Sequence, residues 1–266
     1  MRRYGRQLLV FLIVLLVSGV PAFGQQKPVR KITKIAGDLY RFQNRFHVSV
    51  FLVTPDGIIA TDPINADAAK WLKAELKKRF NQPVKYLIYS HDHRDHISGG
   101  EVFADTAVPD VTFSDRMTIE LGGKSVDLVY VGRGHSDNMI VMHFPAERAL
   151  FAVDFISVKR VGFKNLNDAY FPDWMDGIKL VEGIDFDILV LGHGPMGTKQ
   201  DARDHRAYLE ELYAAVLKGA RAGKTLEELQ QSIRLEKYKD WGQYKQWLPL
   251  NIEGMYRNIQ LHRRGN

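Results

Sequence analysis

Hydrophobic positions in this chain change their period repeatedly, and each change marks an element. Short apolar runs closed by turn residues predict strands at residues 35–42, 48–53 and 58–62. Pro55-Asp56-Gly57 turns the chain between the last two. A helical period follows. Ala68, Leu72, Leu76 and Phe80 recur every four residues with lysines between them, which predicts a helix over Ala66–Phe80 capped by Asn65. Residues 84–89 predict a strand and 101–105 one helical turn. Further strands are expected at 111–113, 117–121, 126–131, 139–144, 150–153 and 188–191. Helices are expected at 172–181, from the Thr198/Asp201 start box to about Gly219, from Thr225, and at 252–261 after an aromatic and polar stretch. Strands alternate with helices in both halves, so two similar halves packed together fit the pattern.

Composition changes this picture at one end. Of the 266 residues 45% are hydrophobic and 26% charged, enough for a substantial core. The first 24 residues stand apart from it. Arg2, Arg3 and Arg6 precede an apolar run from Leu8 to Val20, and Ala22-Phe23-Gly24 offers small residues where a signal peptidase reads. The expectation is a secretory signal over 1–24, cleaved before Gln25, and a mature domain over 25–266 with a C-terminal helical extension. Residues 25–31 read as a linker. The protein is then exported, to the periplasm or outside the cell, with no stable membrane anchor after cleavage. The alternative of an uncleaved anchor suffers from a run too short to span comfortably.

Charge excludes one class of partner. The net charge is +6, and without the three signal arginines 34 basic residues face 31 acidic ones. The basic residues are interspersed, with no aromatic-basic groove pattern, so nucleic acid is not the expected partner. A small-molecule substrate is. The sequence sets no oligomeric state. It has no cysteine, which removes disulfides and thiolate ligands alike.

The candidate chemistry lies in His91-Asp92-His93-Arg94-Asp95-His96, between the strand at 84–89 and Gly99-Gly100. His91 and His93 alternate and can point the same way in an extended segment. Asp95 and His96 follow the turn and face a neighbouring position, so one loop can serve two adjacent metal ions. Imidazole and carboxylate suit Zn2+, with Fe or Mn as possible substitutes. His135, Asp154 and His193 share one context, since each follows an apolar run, and glycines flank both histidines. Strand ends collect side chains at one sheet edge. Two metals with three or four protein ligands each would use all seven residues.

His-x-His-x-Asp-His, a Gly-His-Ser, a strand-end Asp and a Gly-His-Gly, in that order, resemble the metallo-β-lactamase superfamily over about residues 35–215. The resemblance implies an α+β fold, a four-layer αββα sandwich with metals at one edge of two packed sheets. It implies that His91, His93 and His135 hold one metal, that Asp95, His96 and His193 hold the other, and that Asp154 bridges them. It also implies a zinc-dependent hydrolase in which Asp95 is catalytic, orienting the nucleophile and passing its proton on. Diiron relatives carry Glu where this chain has His93, which disfavours redox chemistry. Many β-lactamases of the family carry Cys where this chain has Asp154; thioesterases, lactonases and phosphodiesterases carry Asp. The expected bond is an ester, lactone, thioester, amide or phosphoester, with a β-lactam possible.

One departure stands out. Only 39 residues separate His96 from His135, so the segment after the His-x-His-x-Asp-His loop is shortened around Asp105-Thr106-Ala107. It opens a sheet edge or impairs that half, and it is the support for a second reading, a non-catalytic metal-binding accessory protein of the same fold. Other residues are ambiguous from sequence. Asp62 either supports a ligand histidine or caps the turn before Pro63. His47 precedes the first hairpin and reads as a surface residue, with a hairpin lying over the site and contact with substrate as the alternative; His143 reads as a packed or edge strand residue, and His205 as a solvated helix residue. Lys159, Arg160 and Lys164 read as a solvated loop, with an anion site as the alternative. Tyr170, Phe171 and Trp174 read as core, with a pocket lining as the alternative.

Overall fold

Apart from Ser49, residues 48–53 are apolar at odd and even positions alike, so a strand formed there must be covered on both faces. The computed structural model, which describes residues 29–104, 108–167 and 169–262, shows how. The segment expected to be a signal peptide lies outside the described residues. One sheet contains β1 (Arg30–Ala36), β2 (Leu39–Asn44), β3 (His47–Thr54), β4 (Gly57–Thr61) and β5 (Val84–Ile88) in sequential order. The first four are antiparallel and β5 joins β4 in parallel, across helix α1 (Ala66–Phe80).

The second sheet contains β6 (Arg116–Leu121), β7 (Lys124–Tyr130), β8 (Ile140–Phe144), β9 (Ala149–Phe151) and β10 (Ile188–Val190), ordered β10-β9-β8-β7-β6. Here β10 is parallel to β9 and the rest are antiparallel. Each half thus ends in one parallel crossover, as two similar halves require.

The strand periodicity sorts side chains into layers. Val48, Val50 and Leu52 face Leu128, Met142 and Phe151 of the other sheet across the inter-sheet core. Phe51 and Ile58 turn outward onto Leu72 and Leu76 of α1. Val129, Val141 and Leu150 turn outward onto α3 (Phe171–Glu182), α4 (Lys199–Arg221) and α6 (Tyr244–His262), with α5 (Leu226–Ser232) closing that layer. Each fully buried Leu or Phe contributes about 1.5–3 kcal/mol. The architecture is an αββα sandwich.

Several local expectations hold and several change. Asn65 caps α1, its Oδ1 accepting from the Ala68 N–H at 2.9 Å. The Thr198/Asp201 pair forms a capping box on α4. Residues 35–42 are not one strand: the chain turns at Gly37-Asp38 and splits them between β1 and β2. β1 begins at Arg30, inside the stretch read as linker. Residues 111–113 form no strand. The final helix starts at Tyr244, not at residue 252, and continues through Pro249. Leu248, Ile252, Met255 and Ile259 bury one stripe of it, and that burial outweighs the backbone bond that Pro249 cannot make.

The shortened segment has a visible result. A four-residue helix α2 (Arg94–Ile97) and a 3-10 turn at Gly100–Val102 follow the histidine loop, and β6 already belongs to the other sheet. Among the described residues, which leave out Asp105-Thr106-Ala107, β5 is the outermost strand of its sheet. The second sheet is nevertheless five-stranded.

Candidate metal centre

Strand ends β4, β5, β7, β9 and β10 deliver the candidate residues to one edge of the sandwich. His91, His93, Asp95 and His96 follow β5, His135 follows β7, Asp154 follows β9 and His193 follows β10. The structure brings all seven together. Donor atoms of His91, His93 and His135 lie within 4.8 Å of one another, as do those of His91, His96 and Asp154, and those of His47, Asp95 and His193.

Two glycines make the convergence possible. Gly99 adopts φ +93, and a Cβ there would stand 2.5 Å from the Asn65 carbonyl carbon, so the loop lies directly on the start of α1. At Gly192 a Cβ would meet Val153 at 2.5 Å and crowd Asp154 and His96 at 3.1 Å. Asp154 itself holds φ +51 at its strand end, an unfavourable conformation of the kind that clusters at functional sites.

Separations within the cluster match shared coordination. Zinc bonds of about 2.0–2.1 Å put two ligand atoms of a tetrahedron roughly 3.3 Å apart. His96 Nε2 lies 3.2 Å from Asp154 Oδ2, His193 Nε2 3.4 Å from Asp154 Oδ1 and His135 Nε2 3.7 Å from Asp154 Oδ2. Asp154 thus reaches donors from both sides, as a bridging carboxylate must. His135 Nε2 and His93 Nδ1 are 3.0 Å apart. His91 supplies the most direct sign of fit. Its Nδ1 meets Ser90 Oγ at 2.9 Å, while its buried Nε2 has no hydrogen-bond partner and points into the cluster.

Asp62 stands behind the ligand histidines. It is fully buried, accepts from the Ser90 N–H at 2.8 Å and the Ser90 hydroxyl at 2.7 Å, and lies 3.5 Å from His96 Nδ1. It therefore packs against His96 and holds His91 through Ser90, which favours the supporting reading over the turn cap.

Electrostatics follow from this crowding. Burial, reinforced by the neighbouring His96, pushes His91 down to about 3. Burial also disfavours charge on His96 and His193, but Asp154, with Asp62 on one side and Asp95 on the other, outweighs it and raises them to about 10 and about 9. Hydrogen bonds from His193 and His47 hold Asp95 well below the usual carboxylate range. Burial pushes Asp154 up, and His193 and His96 more than reverse it, so Asp154 is held well down. Three carboxylates, Asp62, Asp95 and Asp154, converge on this edge, a concentration of negative charge that suits cations.

Sequence reasoning favoured a surface position for His47 and did not join it to Asp95. His47 opens β3 at the tip of the β2–β3 hairpin, and its Nε2 lies 3.2 Å from Asp95 Oδ2. A lone histidine beside an apolar run carries no spacing signal. Two other expectations are corrected. His205 is not solvated: it is 1% exposed, with neither ring nitrogen hydrogen-bonded, and burial drives it down to about 3. Arg160 is not a freely solvated loop residue, since it is half-buried near Trp247, 5.8 Å from the ring centroid. Lys159 and Lys164 remain exposed. His143 sits partly buried on β8, its Nε2 3.0 Å from the Asp185 carbonyl. Trp174 and Phe171 are core, and Trp174 donates to the Phe155 carbonyl at 2.7 Å while its ring lies 6.3 Å from His135.

Known proteins resemble this chain in sequence and in fold. No family model matches the chain. A type 2 metallo-β-lactamase of Elizabethkingia meningoseptica is 27% identical over 197 residues, 62% of this chain and 78% of that protein. The alpha subunit of the 2,4-dinitroanisole O-demethylase of Nocardioides sp. (strain JS1661) is 23% identical over 237 residues, 79% of this chain and 72% of that protein. A hydroxyacylglutathione hydrolase of Francisella tularensis is 28% identical over 144 residues, 49% of this chain and 55% of that protein. A solved structure of a metallo-β-lactamase from Pontibacter korlensis superposes with a TM-score of 0.61 at 20% identity, over 68% of this chain and 99% of that one. Fold, site chemistry and relatives together define a metal-dependent hydrolase. Curated relatives, the structural neighbour and the His91, His93 and His135 cluster support the metallo-β-lactamase superfamily.

Proposed function

We propose that the protein is an exported hydrolase with two zinc ions, acting on an ester, lactone, thioester, amide or phosphoester bond of a small molecule. His91, His93 and His135 would hold one ion, Asp95, His96 and His193 the other, and Asp154 both. The observation that carries this reading is Asp154, whose two oxygens stand within 3.2–3.7 Å of His96, His135 and His193. Divalent ions held there supply hydroxide at neutral pH and polarise the bond to be split.

The chain's own residues do the rest. Asp95 is half exposed, so it reaches substrate, and its Oδ2 is ringed by imidazole nitrogens of His47, His96 and His193 at 3.2, 3.6 and 3.7 Å. It stays ionised, orients the attacking group and takes its proton at a carboxylate oxygen. Asp62 and Ser90 hold His91 and His96 in place without touching substrate. Aspartate at position 154 supports an ester- or thioester-type bond over a β-lactam. A β-lactam remains in the substrate panel, together with 2,4-dinitroanisole because of the Nocardioides relative.

Elemental analysis tests the reading first. About two zincs per purified chain are expected, and one or none in folded protein would favour the accessory reading instead. Asp95→Asn is then expected to lower turnover on the best substrate of the panel by at least about 100-fold. Near-wild-type turnover with two metals bound would remove Asp95 from its role.

A further inference from the structure

His47 lies outside the ordered set of ligand motifs, yet it is fixed at the second metal position. Both sides of it are tied to the His193 loop. The Val48 N–H donates to the Gly192 carbonyl at 2.8 Å, and His193 Nδ1 meets the Phe46 carbonyl at 3.0 Å. Arg41 Nη2 adds a bond to the Gly194 carbonyl at 3.3 Å. The His47 ring is thereby set 4.7 Å from the His193 ring, centroid to centroid, and 6.0 Å from that of His96. Its Nε2 approaches Asp95 Oδ2 at 3.2 Å, nearer than His96 or His193 do. Donor atoms of His47, Asp95 and His193 all lie within 4.8 Å of one another, the same closeness that groups His91, His93 and His135.

We propose that His47 is a ligand of the second metal. This rests on the two-metal reading above and adds to it a donor from the β2–β3 hairpin. The hairpin is then part of the metal site rather than a cover over it. A metal bound there pins the hairpin tip, and the exposed Phe46 beside it becomes a fixed apolar edge of the entrance. The competing role for the same geometry is positioning alone, in which His47 hydrogen-bonds Asp95 and never meets the ion.

Zinc titration against a chromophoric chelator separates these roles in wild type, His47→Ala and His47→Gln. The Gln side chain keeps an N–H donor near the place of Nε2 but is a poor zinc ligand. Both variants are expected to weaken the second equivalent by on the order of 100-fold, leaving the first unchanged as proof of an intact fold. Cobalt(II) in place of zinc should show an altered visible spectrum for the second equivalent only. Added imidazole should restore the second equivalent in His47→Ala. Wild-type affinity for both equivalents in His47→Gln would overturn the ligand assignment in favour of positioning. A wild-type protein that takes up one zinc or none would instead overturn the two-metal reading, and this inference with it.

Discussion

His205 shows how a single side chain can be misread from its neighbours in sequence. Arg203, Asp204 and Arg206 surround it and give the segment a solvated look. The three-to-four spacing tells otherwise: Ala202, His205, Tyr208, Leu209, Leu212 and Val216 form the buried stripe of α4. Reading the stripe before the local charge would have placed His205 inside. The seven motif residues were legible for the opposite reason, because strand ends and flanking glycines repeat around them. His47 carried no such context, since only the folded hairpin brings it to Asp95. Burial of a neutral His205 has a pH consequence. Its folded value of about 3 lies below the unfolded 6.5, so acid loads a proton onto the unfolded chain first. Its contribution to stability is therefore complete above pH 6.5 and is lost as the pH falls toward 3, by up to about 1.4 kcal/mol per pH unit. His205→Leu should flatten that dependence, read as the difference between urea unfolding curves of the two proteins from pH 7 to pH 4.

At the scale of elements, strong periodicity was readable and turns were less so. Helix α1 has the bounds its apolar repeat predicts because lysines and leucines separate cleanly onto two faces. The break between β1 and β2 at Gly37-Asp38 was hidden, since apolar residues flank it on both sides. The first turns of helix α6 were hidden because the stretch before residue 252 is aromatic and polar and contains Pro249. Tertiary contacts override that signal. Asn251 Nδ2 donates to the Gly162 carbonyl at 2.9 Å and to the Lys164 carbonyl at 2.5 Å, and Tyr208 Oη donates to Asn251 Oδ1 at 2.6 Å. Asn258 Nδ2 reaches the Ala169 carbonyl at 2.7 Å. Gly254 lets the helix lie on the segment after Asp154, for a Cβ there would stand 1.9 Å from the Asn165 carbonyl oxygen. Gly254→Ala should therefore push α6 off that segment and destabilise the protein by about 1–3 kcal/mol, measurable by thermal or urea unfolding.

For the whole molecule, the alternation of strands and helices made two similar halves legible, while the αββα layer order came from the resemblance that the ordered histidine and aspartate motifs carry. The open side of β5 follows from the short connection to β6, and Tyr86 on that strand is 43% exposed. Among the described residues no helix is long and apolar enough to cross a membrane. Metals at the junction of both sheets should also tie the halves together thermodynamically. Free zinc at about 1,000 times its dissociation constant would add roughly 4 kcal/mol to the folded state. Stripping it with a chelator should lower the melting temperature, and restoring zinc should recover it. An unchanged melting temperature in protein shown to hold two zincs would place the binding energy elsewhere.

The clamp of α6 on residues 162–169 has a further meaning in time. Its bonds join positions 87 to 92 residues apart, so the loop between Asp154 and α3 waits for a distant part of the chain before it is held. Contacts of such separation form late, because the intervening chain must first be gathered in. Every metal-binding candidate from His47 to His193 has been synthesised before Asn251 exists. A newly made chain therefore has every candidate ligand in hand before it has the helix that clamps residues 162–169.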